Sequence, residues 1–242
     1  MIDRVGQQFG NYRLRRLLGQ GGFAAVYLGE HIFLKSKAAI KLLHTSLTER
    51  EVEGFLTEAQ RLANLVHPNV VRVLDFAVET GTPFLVMEYA PNGSLRDMHP
   101  KGSRLPLDTV VSYVKQVSSA LQYVHDNKLI HRDVKPENML LGPHGNILLS
   151  DVGIAVVAHS ERSWTAEHTG GTPPYRAPEQ YQGRPCRESD QYSLGIVVYE
   201  WLCGVRPFDG NDLALAHQHE RVPPPSLREK VPGIPLTLNT SY

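Results

Sequence analysis

HRDVKPEN, at residues 131–138, places the acid Asp133, a second acid, the basic side chains of Arg132 and Lys135, an amide and a proline within one short segment. Asp133 can accept a proton from a hydroxyl, Lys135 can neutralise a phosphoryl oxygen, and Asn138 offers an amide oxygen to a hard cation such as Mg²⁺. The proline fixes φ and removes a donor, which favours a rigid loop. Apolar segments on both sides predict a packed scaffold. The stretch indicates phosphate chemistry, although a solvated charged loop is the simpler interpretation.

This stretch resembles the catalytic loop of the eukaryotic-type serine/threonine protein kinases. Together with the segment at 87–89, it resembles the bacterial members of that family. The resemblance implies ATP-dependent phosphorylation of serine and threonine hydroxyls on protein substrates. Asp133 would be the catalytic base, and Lys135 would offset charge on the transferred phosphoryl group. Asp151 opens the tripeptide DVG, which resembles the family's Asp-Phe-Gly element with valine in place of phenylalanine. Asn138 and Asp151 are then expected to hold Mg²⁺, or Mn²⁺.

A glycine-rich stretch, GQGGFAAVYL, lies at residues 19–28 between two segments rich in β-forming residues. Its backbone amides could approach phosphates closely, although most glycine-rich turns bind nothing. It resembles the kinase phosphate-binding loop, with Ala24 at the third glycine position. The segment 87–93 resembles the kinase hinge, whose backbone binds adenine. The resemblance assigns the nucleotide site to Leu18, Gly19, Gly21, Gly22, Val26, Ala39, Lys41, Met87, Glu88, Ala90 and Leu140.

Lys41 lies in the apolar run 38–43, which predicts a buried strand, and a buried lysine needs an anionic partner. Residues 48–66 supply a candidate, because their apolar side chains recur at helical spacing and Glu58 lies beside that stripe. The resemblance assigns Lys41 to the phosphates of ATP and predicts a Lys41–Glu58 ion pair. The stripe consists of Phe55, Leu56, Ala59, Leu62, Ala63 and Val66.

Other elements are predicted from periodicity and turn residues. Strands are expected at 12–18, 70–77 and 83–89, a hairpin at 139–141 and 147–149, and helices at 108–127, 192–203 and 211–219. The buried side of the helix at 108–127 is predicted to consist of Val110, Val111, Val114, Val117, Leu121 and Val124.

Residues 154–176 are polar and resemble a kinase activation loop. Arg132 is expected to pair with a phosphate on this segment, which would make the activity switchable. The candidate sites of autophosphorylation are Ser160, Ser163, Thr165 and Thr169.

The stretch GTPPYRAPE, at residues 171–179, resembles the element that closes a kinase activation loop. Thr172 is interpreted as a structural hydroxyl near Asp133 and Lys135. Asp190 resembles the buried kinase aspartate that holds the backbone of the catalytic loop.

Composition excludes several classes of protein. Lys+Arg and Asp+Glu are both 25 among 242 residues, so nothing indicates a nucleic-acid or anionic-membrane partner. The two cysteines, Cys186 and Cys203, lack the spacing of a zinc site and favour a reducing cytoplasm. No signal sequence or membrane-spanning segment is expected.

The predicted fold is α+β and two-lobed, as in protein kinases, with one kinase domain over 1–242. A small, mostly antiparallel β N-lobe with one helix is expected at about 12–89, a hinge at 88–93, and a larger, mainly helical C-lobe at 94–242. The C-lobe is expected to lack its last helices, since the resembling kinases continue for two more. One of their arginines pairs with the glutamate that matches Glu179.

Two alternatives stay open from the residues alone. A catalytically weak or inactive nucleotide-binding or scaffolding module is suggested by Ala24, by the valine after Asp151 and by the missing helices. A kinase of small molecules is the third possibility, but it gives no reason for the peptide-side element at 171–179.

Overall fold

The structure is a computed structural model. Its described residues form two compact units, one that runs to Pro91 and includes Gly153, and one with 92–152 and 171–231. The boundary after Pro91 falls within the segment expected to be the hinge. The structure describes residues 4–22, 24–44, 47–153 and 171–231.

The first unit is built on a six-stranded sheet in which all neighbouring strands are antiparallel, in the order β1-β2-β3-β4-β6-β5. The interior strands β4 and β6 are almost wholly buried and carry near-continuous apolar runs, as strands covered on both faces do. Leu14, Ile40 and Phe84 are fully buried in the core. The strands are β1 Gln8–Phe9, β2 Tyr12–Gln20, β3 Ala24–His31, β4 Lys37–Leu43, β5 Val73–Glu79 and β6 Thr82–Met87.

One helix, α1 Glu49–Ala63, accompanies the sheet in the described residues of this unit. It begins after Thr48, whose backbone N–H and hydroxyl both donate to the Glu51 carboxylate at 2.8 Å. Such a bond ties up a donor at the helix start and stabilises it. The predicted stripe is confirmed for its buried members Phe55, Ala59 and Leu62.

Val66 was wrongly assigned to that stripe. The helix ends at Ala63, and Val66 is 63% exposed beyond it. Helical spacing continued by chance past the end of the helix, since Asn64 already terminates it. The strand expected at 70–77 begins only at Val73, although Val70 is buried before it.

The second unit is mainly helical. Its longest helix, α3, buries Val110, Val117, Leu121 and Val124 as predicted. The helices are α2 Leu95–Met98, α3 Leu107–Asp126, α4 Pro178–Tyr181, α5 Arg187–Cys203, α6 Asp212–Arg221 and α7 Leu227–Lys230.

The prediction for Val111 was wrong, because this side chain is 40% exposed. Successive helical side chains point about 100° apart, so Val111 lies at the edge of the buried stripe that contains Val110. The predicted hairpin is confirmed as β7 Met139–Leu141 and β8 Ile147–Leu149. The helix expected at 192–203 starts earlier, at Arg187. Apolar periodicity did not reveal this start, because the first turn of the helix is polar.

No helix in the part of the chain that the structure describes has both the length and the apolar character needed to cross a membrane. Together, the antiparallel sheet with its helix and the mainly helical second unit confirm the α+β organisation expected from the sequence.

Candidate active site

Three polar side chains converge in the second unit. The Lys135 ammonium lies 2.7 Å from Asp133 Oδ2 and donates to Thr172 Oγ1 at 2.5 Å. Thr172 in turn donates its hydroxyl to Asp133 Oδ1 at 2.8 Å. The closed triangle agrees with the interpretation of Thr172 as a structural hydroxyl. It fixes the Asp133 carboxylate through both of its oxygens.

The charge state of Asp133 follows from these contacts. Burial alone would raise the pKa of Asp133, but the Lys135 charge and hydrogen bonds from Lys135 and Thr172 outweigh it. The pKa of Asp133 is therefore lowered from its ordinary value. At neutral pH this side chain is a carboxylate, which can accept a hydrogen bond from an incoming hydroxyl.

The backbone of the loop before Asp133 is held by Asp190, a fully buried residue of α5. Its carboxylate accepts from the backbone N–H of His131 at 2.9 Å and of Arg132 at 2.8 Å. His125 Nε2 lies 2.7 Å from the same carboxylate. The role that the resemblance gave to Asp190 is reproduced by these distances.

His131 links the loop to the strand that precedes Asp151. Its Nδ1 accepts from the backbone N–H of Asp133 at 3.2 Å, and its Nε2 lies 2.8 Å from the carbonyl of Ser150. Because a backbone N–H can only donate and a carbonyl can only accept, the ring is neutral with its proton on Nε2. His131 is 1% exposed, so this link is shielded from water.

Asn138 and Asp151 are the candidate metal ligands. Asn138 Nδ2 donates to the Asp133 carbonyl at 2.7 Å and to Asp133 Oδ2 at 3.1 Å. The amide nitrogen is thereby engaged, and the amide oxygen is the atom that a cation would take. The Asn138 carbonyl accepts from the backbone N–H of Ser150 at 2.8 Å, which ties Asn138 to the residue before Asp151. An amide oxygen and a carboxylate are hard donors that fit Mg²⁺.

A buried ionic cluster in the second unit was not predicted from the sequence. Arg96 forms ion pairs with Glu200 at 3.0 Å and with Glu137 at 2.9 Å, and it donates to the Tyr175 hydroxyl at 2.6 Å. Tyr175 donates to Glu200 at 2.6 Å. Burial and the Glu200 carboxylate raise the pKa of Tyr175. The cluster joins α2, the catalytic loop, the 3₁₀ turn Pro173–Tyr175 and α5.

Gln180 and the partners of Glu179 were also missed. Gln180 Nε2 donates to the Arg132 carbonyl at 2.8 Å. Glu179 accepts a hydrogen bond from Ser189 Oγ, and the Cys186 thiol lies 3.7 Å from the same carboxylate oxygen. In the described residues, a hydroxyl and a thiol thus contact the Glu179 carboxylate.

Four candidate nucleotide residues of the first unit share one face of the sheet, namely Val26, Ala39, Lys41 and Met87. Val26 lies opposite Lys41 on neighbouring strands, and Ala39 lies opposite Met87. Directly opposed residues point to the same side, and Ala39 and Lys41 are two positions apart on β4. Gly19 pairs with Val26 at the other edge of this row. Lys41 is 7% exposed, as expected of a lysine in an apolar strand.

The turn of the glycine-rich stretch is closed by the Gly21 N–H, which donates to the Ala24 carbonyl at 2.9 Å. A side chain at Gly22 would meet no atom within 4 Å among the described contacts, so space is not what requires glycine there. Leu18 is part of β2, one residue before Gly19. The turn follows β2 and precedes β3, as the sequence predicted.

Several site predictions stay predictions. Glu58 forms an ion pair with Arg61 at 3.1 Å. The Lys41–Glu58 ion pair stays a prediction. The Glu88 N–H donates to the Arg72 carbonyl at 2.9 Å, so a nucleotide would meet the Glu88 carbonyl. Leu140 lies on β7 in the second unit. The roles of Glu88, Ala90 and Leu140 in nucleotide binding are likewise untested, and the candidate phosphosites lie outside the described residues.

Comparison with known proteins agrees with this geometry. The protein kinase domain model matches residues 12–230, and the chain belongs to the protein kinase family. The chain is 40% identical over 235 residues to the serine/threonine-protein kinase Pkn1 of Myxococcus xanthus, covering 92% of this chain and 33% of that protein.

Two further bacterial relatives are similar over almost the same region. PrkC of Bacillus subtilis, a serine/threonine-protein kinase, is 36% identical over 236 residues, which are 95% of this chain and 36% of PrkC. The DNA damage-responsive serine/threonine-protein kinase RqkA of Deinococcus radiodurans is 37% identical over 232 residues, which are 93% of this chain and 35% of RqkA. The chain therefore spans about a third of the length of these curated relatives.

Proposed function

We propose that this chain is a serine/threonine protein kinase domain that transfers the terminal phosphoryl group of ATP to a protein hydroxyl. The observation that carries the proposal is the Asp133 carboxylate, held by Lys135 and Thr172 at 2.7 Å and 2.8 Å. A fixed carboxylate beside a fixed ammonium is suited to a reaction whose catalysis is mostly positioning and electrostatics. The family and the names of the bacterial relatives support it.

Asp133 would orient the substrate hydroxyl and accept its proton as the oxygen–phosphorus bond forms. Asp133 Oδ2 already accepts from Lys135 and Asn138, whereas Oδ1 accepts from Thr172 and has a second lone pair for the substrate hydroxyl. Lys135, which contacts Asp133, would offset negative charge on the phosphoryl group in transfer. The lowered pKa of Asp133 keeps the carboxylate charged before the hydroxyl arrives.

The residues proposed to hold ATP come from both units. In the first unit, Lys41 would bind the phosphates and the shared face of Val26, Ala39 and Met87 would contact adenine. In the second, Asn138 and Asp151 would hold Mg²⁺, which supplies positive charge to neutralise the phosphates. The nucleotide set otherwise consists of Leu18, Gly19, Gly21, Gly22, Glu88, Ala90 and Leu140.

We also propose autophosphorylation in the segment before Gly171, at one of Ser160, Ser163, Thr165 or Thr169, with Arg132 as partner of the phosphate. Mass spectrometry of the chain after incubation with ATP should find phosphate there. If a dephosphorylated sample is as active as a phosphorylated one, the switch is absent. A cytoplasmic location is proposed because both cysteines are free thiols, which suits a reducing compartment.

Incubation with labelled ATP and Mg²⁺ tests the proposed activity. The wild-type chain should place label on serine or threonine of itself or of an added protein, and Asp133→Asn should not. Asp126→Asn, which makes the same change at an exposed site on α3, is the matched control and should behave as wild type. Nucleotide binding without transfer by the wild-type chain would instead indicate an inactive module, and label on tyrosine would contradict the predicted hydroxyl class.

A further inference from the structure

We infer that Gln180 is a positioning residue for the proposed catalytic base, acting on the peptide group between Arg132 and Asp133; this inference rests on the proposed function. Gln180 is completely buried. Its Nε2 donates to the Arg132 carbonyl at 2.8 Å, and its Oε1 accepts from the Ala177 N–H at 2.9 Å. Both polar atoms of the amide are therefore hydrogen bonded, Oε1 at the start of α4 and Nε2 in the catalytic loop.

The peptide group after Arg132 is held at both of its ends. Gln180 binds its carbonyl, and His131 Nδ1 accepts from its N–H, which belongs to Asp133, at 3.2 Å. A peptide group is planar, so fixing its oxygen and its nitrogen fixes the orientation of the whole plane. That plane carries the Cα atom of Asp133. The position of this Cα atom is thereby restrained, and Lys135 and Thr172 hold the carboxylate that it carries.

The loop needs this restraint because of the conformation of Arg132. Its φ is 71°, in the left-handed region that a residue with a Cβ rarely adopts. Asp190 holds the N–H groups of His131 and Arg132, which are on the other side of that residue. Those bonds leave the following peptide group undetermined. Gln180 restrains the group that Asp190 does not reach.

The hydrogen bond from Gln180 to Arg132 is also enclosed. A Cβ at Gly171 would lie 2.8 Å from the Arg132 carbonyl and 3.1 Å from Gln180 Nε2, so only glycine allows the chain to pass there. The φ of Gly171 is 82°, which independently favours glycine. Thr172 follows directly and donates to Asp133. Enclosure excludes competing water, so the bond determines geometry more strongly than an exposed one would.

A small rotation of this peptide group would shift the Asp133 carboxylate relative to Lys135 and Thr172, which contact it at 2.7 Å and 2.8 Å. The expected effect is on the chemical step. Binding of ATP should change less than kcat, because the proposed phosphate contact, Lys41, belongs to the other unit and, of the proposed metal ligands, Asn138 touches Asp133 through its amide nitrogen and not through its oxygen. This difference separates a positioning role from a general loss of stability.

Kinetics of Gln180→Met and Gln182→Met test the inference. Methionine keeps the length of glutamine but removes both the donor and the oxygen that accepts from the Ala177 N–H. Gln182, the exposed residue that directly follows α4, is the matched control. At a temperature where both variants are folded, Gln180→Met should lower kcat by on the order of 10-fold to 100-fold, while the KM for ATP stays within about twofold. Gln182→Met should match wild type. An unchanged kcat in folded Gln180→Met overturns the inference.

Gln180→Glu supplies a second readout and keeps the inference testable if the methionine variant does not fold. The introduced carboxyl retains an acceptor for the Ala177 N–H. Only its protonated form can donate to the Arg132 carbonyl, and burial raises its pKa. Relative to wild type, kcat should therefore recover as the pH is lowered. A ratio of the two kcat values that does not change with pH would contradict the proposed bond.

Hydrogen exchange of the backbone distinguishes failure of this inference from failure of the proposed function. If the wild-type chain transfers no phosphate, the proposed function fails, but the peptide restraint can still be measured. Gln180→Met should accelerate exchange at the Asp133 N–H relative to Gln182→Met. Equal exchange rates would overturn the role of Gln180 whatever the activity.

Discussion

Thr172 shows how much of the site is decided by single side chains. Its hydroxyl accepts from Lys135 at 2.5 Å and donates to Asp133 at 2.8 Å, so one oxygen connects the cation and the carboxylate. Together with Lys135 it outweighs the burial that would otherwise raise the pKa of Asp133. Removing the hydroxyl leaves the direct contact between Lys135 and Asp133 Oδ2 but takes away the donor that holds Asp133 Oδ1.

Thr172→Val and Thr172→Ser test this connection. Valine keeps the shape and removes the hydroxyl, so kcat should fall on the order of 10-fold to 100-fold through misplacement of Asp133. Serine retains the hydroxyl and should keep most of the activity. Steady-state phosphotransfer kinetics measure both variants. Equal losses in valine and serine would show that the methyl group, and not the hydroxyl, is what matters at Thr172.

At the scale of elements, Arg96 on α2 connects parts of the second unit that are far apart in sequence. It contacts Tyr175 and Glu200, which are 79 and 104 residues away. Glu200 is 4% exposed, and a buried carboxylate that loses its partner is strongly destabilising. The cluster is expected to keep the turn Pro173–Tyr175 and the catalytic loop in register with α5.

Arg96→Met should therefore lower the free energy of unfolding by roughly 3–5 kcal/mol, because it leaves the Glu200 charge buried without its cation. Arg15→Met is the matched control: Arg15 pairs with Glu30 at 2.8 Å on the surface, and the free energy of unfolding should change much less than in Arg96→Met. Urea denaturation followed by circular dichroism measures both. Similar losses in the two variants would mean that the buried cluster contributes no more than a surface pair.

His219 on α6 gives the second unit a dependence on pH. The ring is 5% exposed, packs 4.9 Å from the ring of Phe208, and bonds the Tyr192 hydroxyl at 2.8 Å. Burial lowers the pKa of His219 to about 4. The unfolded chain, with a histidine pKa near 6.5, binds the proton more readily, so stability falls as the pH drops from about 6.5 to 4.

The loss over this pH range should approach about 3 kcal/mol. His219→Gln removes the titrating group and should flatten the pH dependence of the free energy of unfolding. His217→Gln changes an exposed histidine on the same helix and should leave the wild-type slope. Denaturant titrations at several pH values measure the slopes. A slope in His219→Gln equal to that of wild type would show that other groups cause the acid sensitivity.

Element types were predictable from sequence because local patterns determine them. The hairpin β7–β8 and the buried face of α3 follow from apolar spacing and turn residues. Val66 and Val111 were misassigned, because periodicity alone does not show where a helix ends or how wide its buried face is. At the site, motif resemblance predicted that the Thr172 hydroxyl lies near Asp133, and the structure shows a hydrogen bond between them.

The contacts of Arg96 and Gln180 could not be predicted from the sequence. Each depends on chain segments brought together by the fold, with partners 41 to 104 residues away. Local spacing in the sequence does not indicate contacts between segments so far apart. Glu200 interrupts an apolar stretch of α5, and its charge is balanced by Arg96.

At the scale of the whole molecule, the family match over 12–230 and the antiparallel and helical units agree on one class of protein. The proposed activity requires both units, since Lys41 belongs to one and Asp133 to the other. Binding of ATP and transfer of its phosphoryl group can be measured separately. A measurement that follows both in one sample distinguishes a kinase from a module that only binds nucleotide.

That measurement is single-turnover phosphoryl transfer from ATP and Mg²⁺ to a serine-containing protein, with ATP affinity determined on the same preparations of wild type and Asp133→Asn. The account predicts similar affinities, with transfer slower in Asp133→Asn by on the order of 1000-fold, since the residue that orients and deprotonates the hydroxyl is lost. Equal transfer rates in the two proteins, or binding without transfer in the wild type, would contradict it.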